Sequence, residues 1–217
     1  MRVKTFEFNP LGVNTYVLHD ETKECVVIDA ACFYTEEKEE LLQYIDERGL
    51  AVKHLLNTHL HFDHLFGVNL LSSRFGTPLS CHRGDVYLLE DLPRQLQQFG
   101  LPPVDAGLKP EIGVFLEEGD TVEFGNQSLK VFHIPGHSPG SIVFYSASNG
   151  SLFGGDVLFH SSIGRTDLYG GSFDDLVNGI REKLFILPDE TIVYSGHGPS
   201  TTLGYEKKNN PFVGQIR

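Results

Sequence analysis

The chain has 217 residues, 40% of them hydrophobic and 21% charged, the balance of an ordinary globular protein with one substantial core rather than a disordered segment. Its formal net charge of −12 argues against a nucleic-acid surface, which needs clustered Lys and Arg, and against adhesion to an anionic membrane. The opening MRVKTFEFNPLG lacks the long apolar stretch of a signal peptide or anchor. Cys25, Cys32 and Cys81 are odd in number and widely spaced, so a reducing, cytoplasmic setting is expected.

In chain order, RVKTFEF, VNTYVLH and ECVVIDA read as strands separated by turns at Pro10-Leu11-Gly12 and Asp20-Glu21. TEEKEELLQYIDERG reads as a helix with Thr35 as N-cap, acids in its first turn and Gly49 as its stop. LAVKHLLNT is a short strand, Leu65 to Phe75 is helical, and GDVYLLEDL predicts a further helix. FGLPPVDAGLKPEIG reads as a long surface loop. DTVEF and SLKVFHI form one hairpin, SIVFYSAS and SLFGGDVLF another about Asn149-Gly150. A helix over Ser172 to Leu184 and a strand, ETIVYSG, follow. Strand clusters between helices, with no linker or repeat, predict one α/β domain over residues 1–217, two packed sheets with helices outside.

The chemistry concentrates at strand ends. THLHFDH, Thr58 to His64, follows an apolar strand. His59 and His61 are two apart and share a side only in extended backbone; on a helix they would point apart. Asp63 and His64 continue around the turn toward a second ion. Three later strands each end in glycine and then a donor: His137 after Pro135-Gly136, Asp156 after Gly154-Gly155, His197 after Gly196. Neutral imidazoles and carboxylates suit zinc-like ions, and iron or manganese accept the same donors. The expected division is His59, His61 and His137 on one ion, Asp63, His64 and His197 on the other, with Asp156 bridging. Two ions about 3.5–4 Å apart can hold a hydroxide already ionised near neutral pH.

THLHFDH with His137, Asp156 and His197 in that order resembles the metallo-β-lactamase superfamily, over nearly the entire chain. That resemblance implies an αββα sandwich of two mixed sheets with outer helices and the metals at the edge where the sheets meet. In VVIDA it puts Asp29 where an acid orients a ligand histidine from behind, and in HIPGHSPGS it gives His133 a supporting hydrogen bond. GRTDLYGGS and GHGPSTTLGYEKKNNPF resemble the short bacterial type II glyoxalases, which hydrolyse hydroxyacyl-glutathione thioesters. The longer glyoxalases II carry a C-terminal helical domain that grips glutathione; only Gly198 to Arg217 follow His197 here. The resemblance implies a small-molecule thioester substrate, attacked with Asp63 and Asp156 in the catalytic centre. His160, Arg165, Lys207 and Lys208 are the candidate substrate contacts. For Arg165 a structural pair with Asp167 is the competing reading, and for the lysines a solvated terminal segment.

Related branches divide on single positions. The β-lactamases usually carry Cys or Ser at the place of Asp156, and diiron flavoproteins carry Glu at the place of His61. The strongest rival is the persulfide dioxygenases, which share the THxHxDH pattern and use one iron on the positions of His59, His137 and Asp156. Hydrolysis of another small ester or lactone is a further alternative. The sequence fixes no oligomeric state.

Overall fold

The computed structural model describes residues 1–100 and 109–214. One sheet is built from β1 (Arg2–Phe8), β2 (Val13–His19), β3 (Glu24–Ile28), β4 (Ala51–Leu56), β5 (Leu79–Cys81) and β6 (Ile112–Phe115), in that spatial order. Its first three strands are antiparallel neighbours and its last four run parallel. The second sheet contains β7 (Thr121–Phe124), β8 (Gln127–His133), β9 (Ile142–Ser146), β10 (Ser151–Gly155), β13 (Ile192–Ser195) and β14 (Thr201–Thr202), in the order β14-β13-β10-β9-β8-β7. Between β10 and β13 in sequence, β11 (Leu158–Phe159) and β12 (Ser162–Ile163) pair as a small ribbon.

Period-two alternation distributes the side chains over three apolar layers. On β2, Val13 and Val17 face the layer beneath the outer helices, while Tyr16 and Leu18 face the second sheet. On β3, Cys25 and Val27 take the first side and Val26 and Ile28 the second. β9 does the same from the other sheet, with Ile142 and Phe144 inward and Val143 outward. α1 (Thr35–Arg48) and α2 (Val68–Phe75) cover the first sheet with Leu41, Ile45, Val68 and Leu71. α3 (Val86–Glu90) and α4 (Leu92–Gln98) pack on the same layer. α5 (Phe173–Gly179), which continues as a π-helical turn to Leu184, and α6 (Leu203–Asn209) cover the second sheet. The fold is therefore the expected αββα sandwich of two mixed sheets. Each fully buried Leu, Ile or Phe in these layers contributes about 1.5–3 kcal/mol.

Several local expectations change. Thr35 is the first helical residue of α1 rather than its cap, because the Glu37 carboxylate accepts the N–H groups of Phe33 (2.6 Å) and Tyr34 (3.0 Å) instead. Helix α2 starts at Val68, after a 3₁₀ turn over Phe62–His64. GDVYLLEDL divides into a 3₁₀ turn, Arg83–Asp85, and the short α3. The expected loop FGLPPVDAGLKPEIG holds strand β6 at its end, while residues 101–108 lie outside the described residues. Both β5 and β6 are too short for their periodicity to register. No helix among the described residues is long and apolar enough to cross a membrane.

Both sheets deliver chain to one edge. β3 and β4 are parallel, so Asp29 and the loop from Asn57 emerge together. β10 and β13 are parallel in the other sheet, so Asp156 and His197 emerge together. Backbone bonds lock the two sheets there: Asn14 N–H donates to Gly196 O (2.7 Å), Ile142 N–H to Thr58 O (2.9 Å), and Val13 bridges His197.

Candidate metal centre

At this edge the seven residues singled out in the sequence converge. Their donor atoms form three overlapping groups, His59/His61/His137, His59/His64/Asp156 and Asp63/His64/His197, each with its atoms within 4.8 Å of one another. Extended backbone at His61 (φ −67°, ψ 147°) lets its ring meet His59 (centroids 4.7 Å apart) and His137 (4.6 Å). The 3₁₀ turn then carries Asp63 and His64 to the far side of the cluster. Asp156 lies between the two halves. Its Oδ1 is 3.5 Å from His64 Nε2, and its Oδ2 is 3.7 Å from His137 Nε2 and 3.5 Å from His197 Nε2. Asp63 Oδ2 is 3.5 Å from His197 Nε2 and 3.9 Å from His64 Nε2. Gly196 makes this approach possible, since a Cβ there would collide with Asp156 Oδ1 and crowd His64 Cε1.

Four of the imidazoles are held from behind by Nδ1, which leaves Nε2 facing the centre. His64 Nδ1 donates to Asp29 Oδ2 (3.1 Å), His137 Nδ1 to Arg165 O (2.9 Å) and His197 Nδ1 to Leu11 O (3.0 Å). His59 Nδ1 donates to Thr58 Oγ1 (3.1 Å), whose own hydrogen goes to Asp29 Oδ2 (2.7 Å). Each partner fixes the orientation of its ring, so that Nε2 is the atom offered to a metal ion once any proton there is displaced. His61 instead turns Nδ1 toward His137 Nε2, 2.9 Å away. Among the described residues, His59 Nε2, His64 Nε2 and Asp156 Oδ1 are buried without a hydrogen-bond partner. Such orphaned atoms are costly, and a metal ion satisfies all three. The donor set is thus of the right kind to hold divalent metal ions.

The charges agree. Burial first, and then the neighbouring His64, His61, His137 and His197, hold the His59 imidazole neutral well below its ordinary range. Burial and His137 bring His61 down to about 3. Burial pushes against the charged form of Asp63, but His64 and His197 outweigh it and hold the carboxyl at about 2. For His64, burial is outweighed by the carboxylates of Asp63 and Asp29, which raise it to about 10. An arriving cation has to displace that proton.

Asp29 is fully buried and sits at positive φ (52°), which Asp tolerates better than most side chains. It orients both His64 and His59. His133 does not touch a ligand imidazole: its Nε2 bonds Pro139 O (2.8 Å) and its ring stacks on His82 at 4.0 Å. The expected substrate contacts divide. Arg165 is exposed and forms a two-point pair with Asp167 (2.8 Å each), so its side chain makes the structural pair. His160 is exposed and stacks on Tyr205 (4.9 Å) beside Phe159, whose ring is 6.3 Å from His197. Lys207 corrects the expectation. Its ammonium is bound by Asp189 (2.5 Å) and Leu187 O (2.9 Å), on the face of α6 opposite Tyr205, because two helical steps turn through about 200°. Lys208 is exposed on the same helix.

Sequence reasoning missed several supports. Asn57 Nδ2 holds the ligand loop through His64 O (2.9 Å), and Asn9 Nδ2 holds Asp63 O (3.0 Å). Buried Glu206 ties α6 to Ser161 N (3.1 Å) behind the Asp156 loop. Asp85 is also fully buried. It follows strand β5 as Asp156 follows β10, a signal hidden because a three-residue strand is hard to see.

The family description "Metallo-beta-lactamase superfamily" matches residues 8–197, a span that includes all seven donors. Hydroxyacylglutathione hydrolase GloC of Haemophilus influenzae is 37% identical over 214 residues, 98% of each chain. Among solved structures, the B3 metallo-β-lactamase BLEG-1 superposes with a TM-score of 0.87 at 38% identity, covering 98% of this chain and 99% of that one. TTHA1623 in a di-iron-bound form superposes with a TM-score of 0.84 at 37% identity, covering 97% and 100%. With its histidines and carboxylates gathered at one sheet edge inside the matched span, the chain belongs to the metallo-β-lactamase superfamily.

Proposed function

We propose that this chain is a binuclear, metal-dependent thioester hydrolase of the type II glyoxalase kind, cleaving S-(2-hydroxyacyl)glutathiones such as S-lactoylglutathione to hydroxy acid and thiol. The observation that carries the reading is the set of orphaned donors, His59 Nε2, His64 Nε2 and Asp156 Oδ1, inside two half-shells that share Asp156. His59, His61 and His137 would hold one ion and Asp63, His64 and His197 the other, with zinc as the default. When bound, the pair supplies Lewis acidity for the thioester carbonyl and a water ionised near neutral pH. Asp29, Thr58, Leu11 O and Arg165 O hold the imidazoles from behind and aim them. His59 and His64 are themselves almost wholly buried, so their Nε2 atoms are withdrawn from bulk water. A leaving thiol with a pKa near ~8.5 departs as thiolate, so the reaction asks no side chain for a proton.

The likeness to GloC supports this substrate, since that relative is named for it. Two structural relatives favour specific alternatives: BLEG-1 is named a β-lactamase despite a similar overall sequence, and TTHA1623 carries two irons. The test is hydrolysis of S-lactoylglutathione by zinc-reconstituted protein, followed as loss of thioester absorbance. Rapid turnover that a chelator stops supports the proposal. No turnover, with a β-lactam hydrolysed instead, transfers the site to the second reading. Oxygen uptake with glutathione persulfide by iron-loaded protein transfers it to a dioxygenase.

A further inference from the structure

Segments from opposite sheets interlock directly beneath the three-histidine half of the cluster. The turn after β5, His82 to Asp85, belongs to the first sheet; the connection from His133 to Ser141 belongs to the second and carries His137. The Asp85 carboxylate joins them. Its Oδ1 accepts Gly140 N–H (2.6 Å), and its Oδ2 accepts the Ser138 hydroxyl (2.8 Å). The same Oδ2 accepts the N–H of Leu60 (3.2 Å), the residue between His59 and His61. The Ser138 hydroxyl in turn accepts from Ser141 (2.8 Å). Fit is close, since a Cβ on Gly140 would strike the Asp85 carboxylate, and one on Gly84 would strike His82 Nδ1 and crowd Pro139 O and Gly140 Cα. The stacked rings of His82 and His133, with His133 donating to Pro139 O, close the seam above.

Every acceptor on Asp85 is thus committed to backbone or hydroxyl groups within one residue of His59 or His61, or one to three of His137. We infer that Asp85 is the positioning residue of the three-histidine half-shell, setting the separation between the loop of His59 and His61 and the loop of His137. Among the described residues no hydrogen bond connects Asp85 to Asp63, His64 or His197, which are held by Asn9, Asn57, Asp29 and Leu11. The inference rests on the proposal that the cluster holds two ions, and it makes their affinities separable.

In an Asp85→Asn variant the side chain keeps its shape, but an amide nitrogen must face either an N–H or a hydroxyl. Metal titration should show one ion bound as in the wild type and the other weakened about 10- to 100-fold, the range for loss of a partner behind metal ligands. Cobalt-loaded protein should lose or shift only the absorption of the three-histidine site. With S-lactoylglutathione, kcat should fall while KM stays within a factor of about two, because Asp85 meets no substrate. Ser138→Ala removes one of the three bonds and should move the same readouts by less; it decides the matter if the Asn variant does not fold. Two ions bound at wild-type affinity in both variants would overturn the inference. So would equal weakening of both ions with a lowered melting temperature of metal-free protein, which marks a general structural role. A wild-type chain that takes up no metal overturns the binuclear reading itself, a separate outcome.

Discussion

His64 and Arg165 lie on the same edge of the sandwich under opposite constraints. His64 is fully buried, its Nδ1 bonded to Asp29 and its Nε2 left for a ligand. Arg165 is exposed and commits its guanidinium to Asp167, while its own backbone carbonyl holds His137. The buried cluster leaves polar atoms unsatisfied in a place where that is costly, whereas the entrance satisfies its charges locally. The unsatisfied region is where a ligand gains most, and the satisfied one is where chain architecture, more than substrate, explains the pairing.

The largest effect expected from breaking this contrast is at its centre. Asp156→Ala removes the carboxylate shared by both half-shells and should cost more than ~100-fold in kcat/KM, beyond the loss from an outer partner. Its metal content should fall below the wild type's; metal analysis beside the thioester assay checks both. Next, stripping the ions with a chelator should abolish hydrolysis and lower the melting temperature, because a ligand at 1,000 times its Kd stabilises by about 4 kcal/mol. Unchanged melting on metal removal would show that the orphaned donors need no ion. Asp29→Asn preserves a side chain that accepts positive φ but weakens the acceptor behind His64 and His59. A reduction of about 10- to 100-fold in metal affinity is expected, read by competition with a chromophoric chelator. The smallest effect should come from the rim. Arg165→Ala should leave metal content intact and change KM by no more than a few-fold, since its exposed pair is screened by water. A large rise in KM there would erase the contrast and make Arg165 a substrate contact.

How much of this was legible follows the same division. His59, His61, Asp63 and His64 announce themselves because an HxHxDH run after an apolar strand has no structural use for so many imidazoles. His137, Asp156 and His197 are legible because each follows a strand and a glycine, a pattern repeated three times. Asp85 follows the same rule after β5 but escapes notice, because three residues give no periodicity and its work is done on backbone N–H groups from distant segments. Lys207 misleads in the other direction. Near the chain's end it reads as a free cation, and only the turn of α6 against Asp189 shows that it is engaged.

The sequence by itself determined the layer order and the identity of the donors. Alternation along β2, β3 and β9 places side chains on fixed faces, and a donor's chemistry belongs to its residue type. Tertiary structure alone decided which nitrogen of each imidazole faces inward and which charges near the entrance are already paired. Those depend on atoms such as Leu11 O, Arg165 O and Asp29 Oδ2, brought from far along the chain when the two sheets close on each other. A local pattern carries no information about them, because the partner is chosen by packing rather than by neighbourhood in sequence.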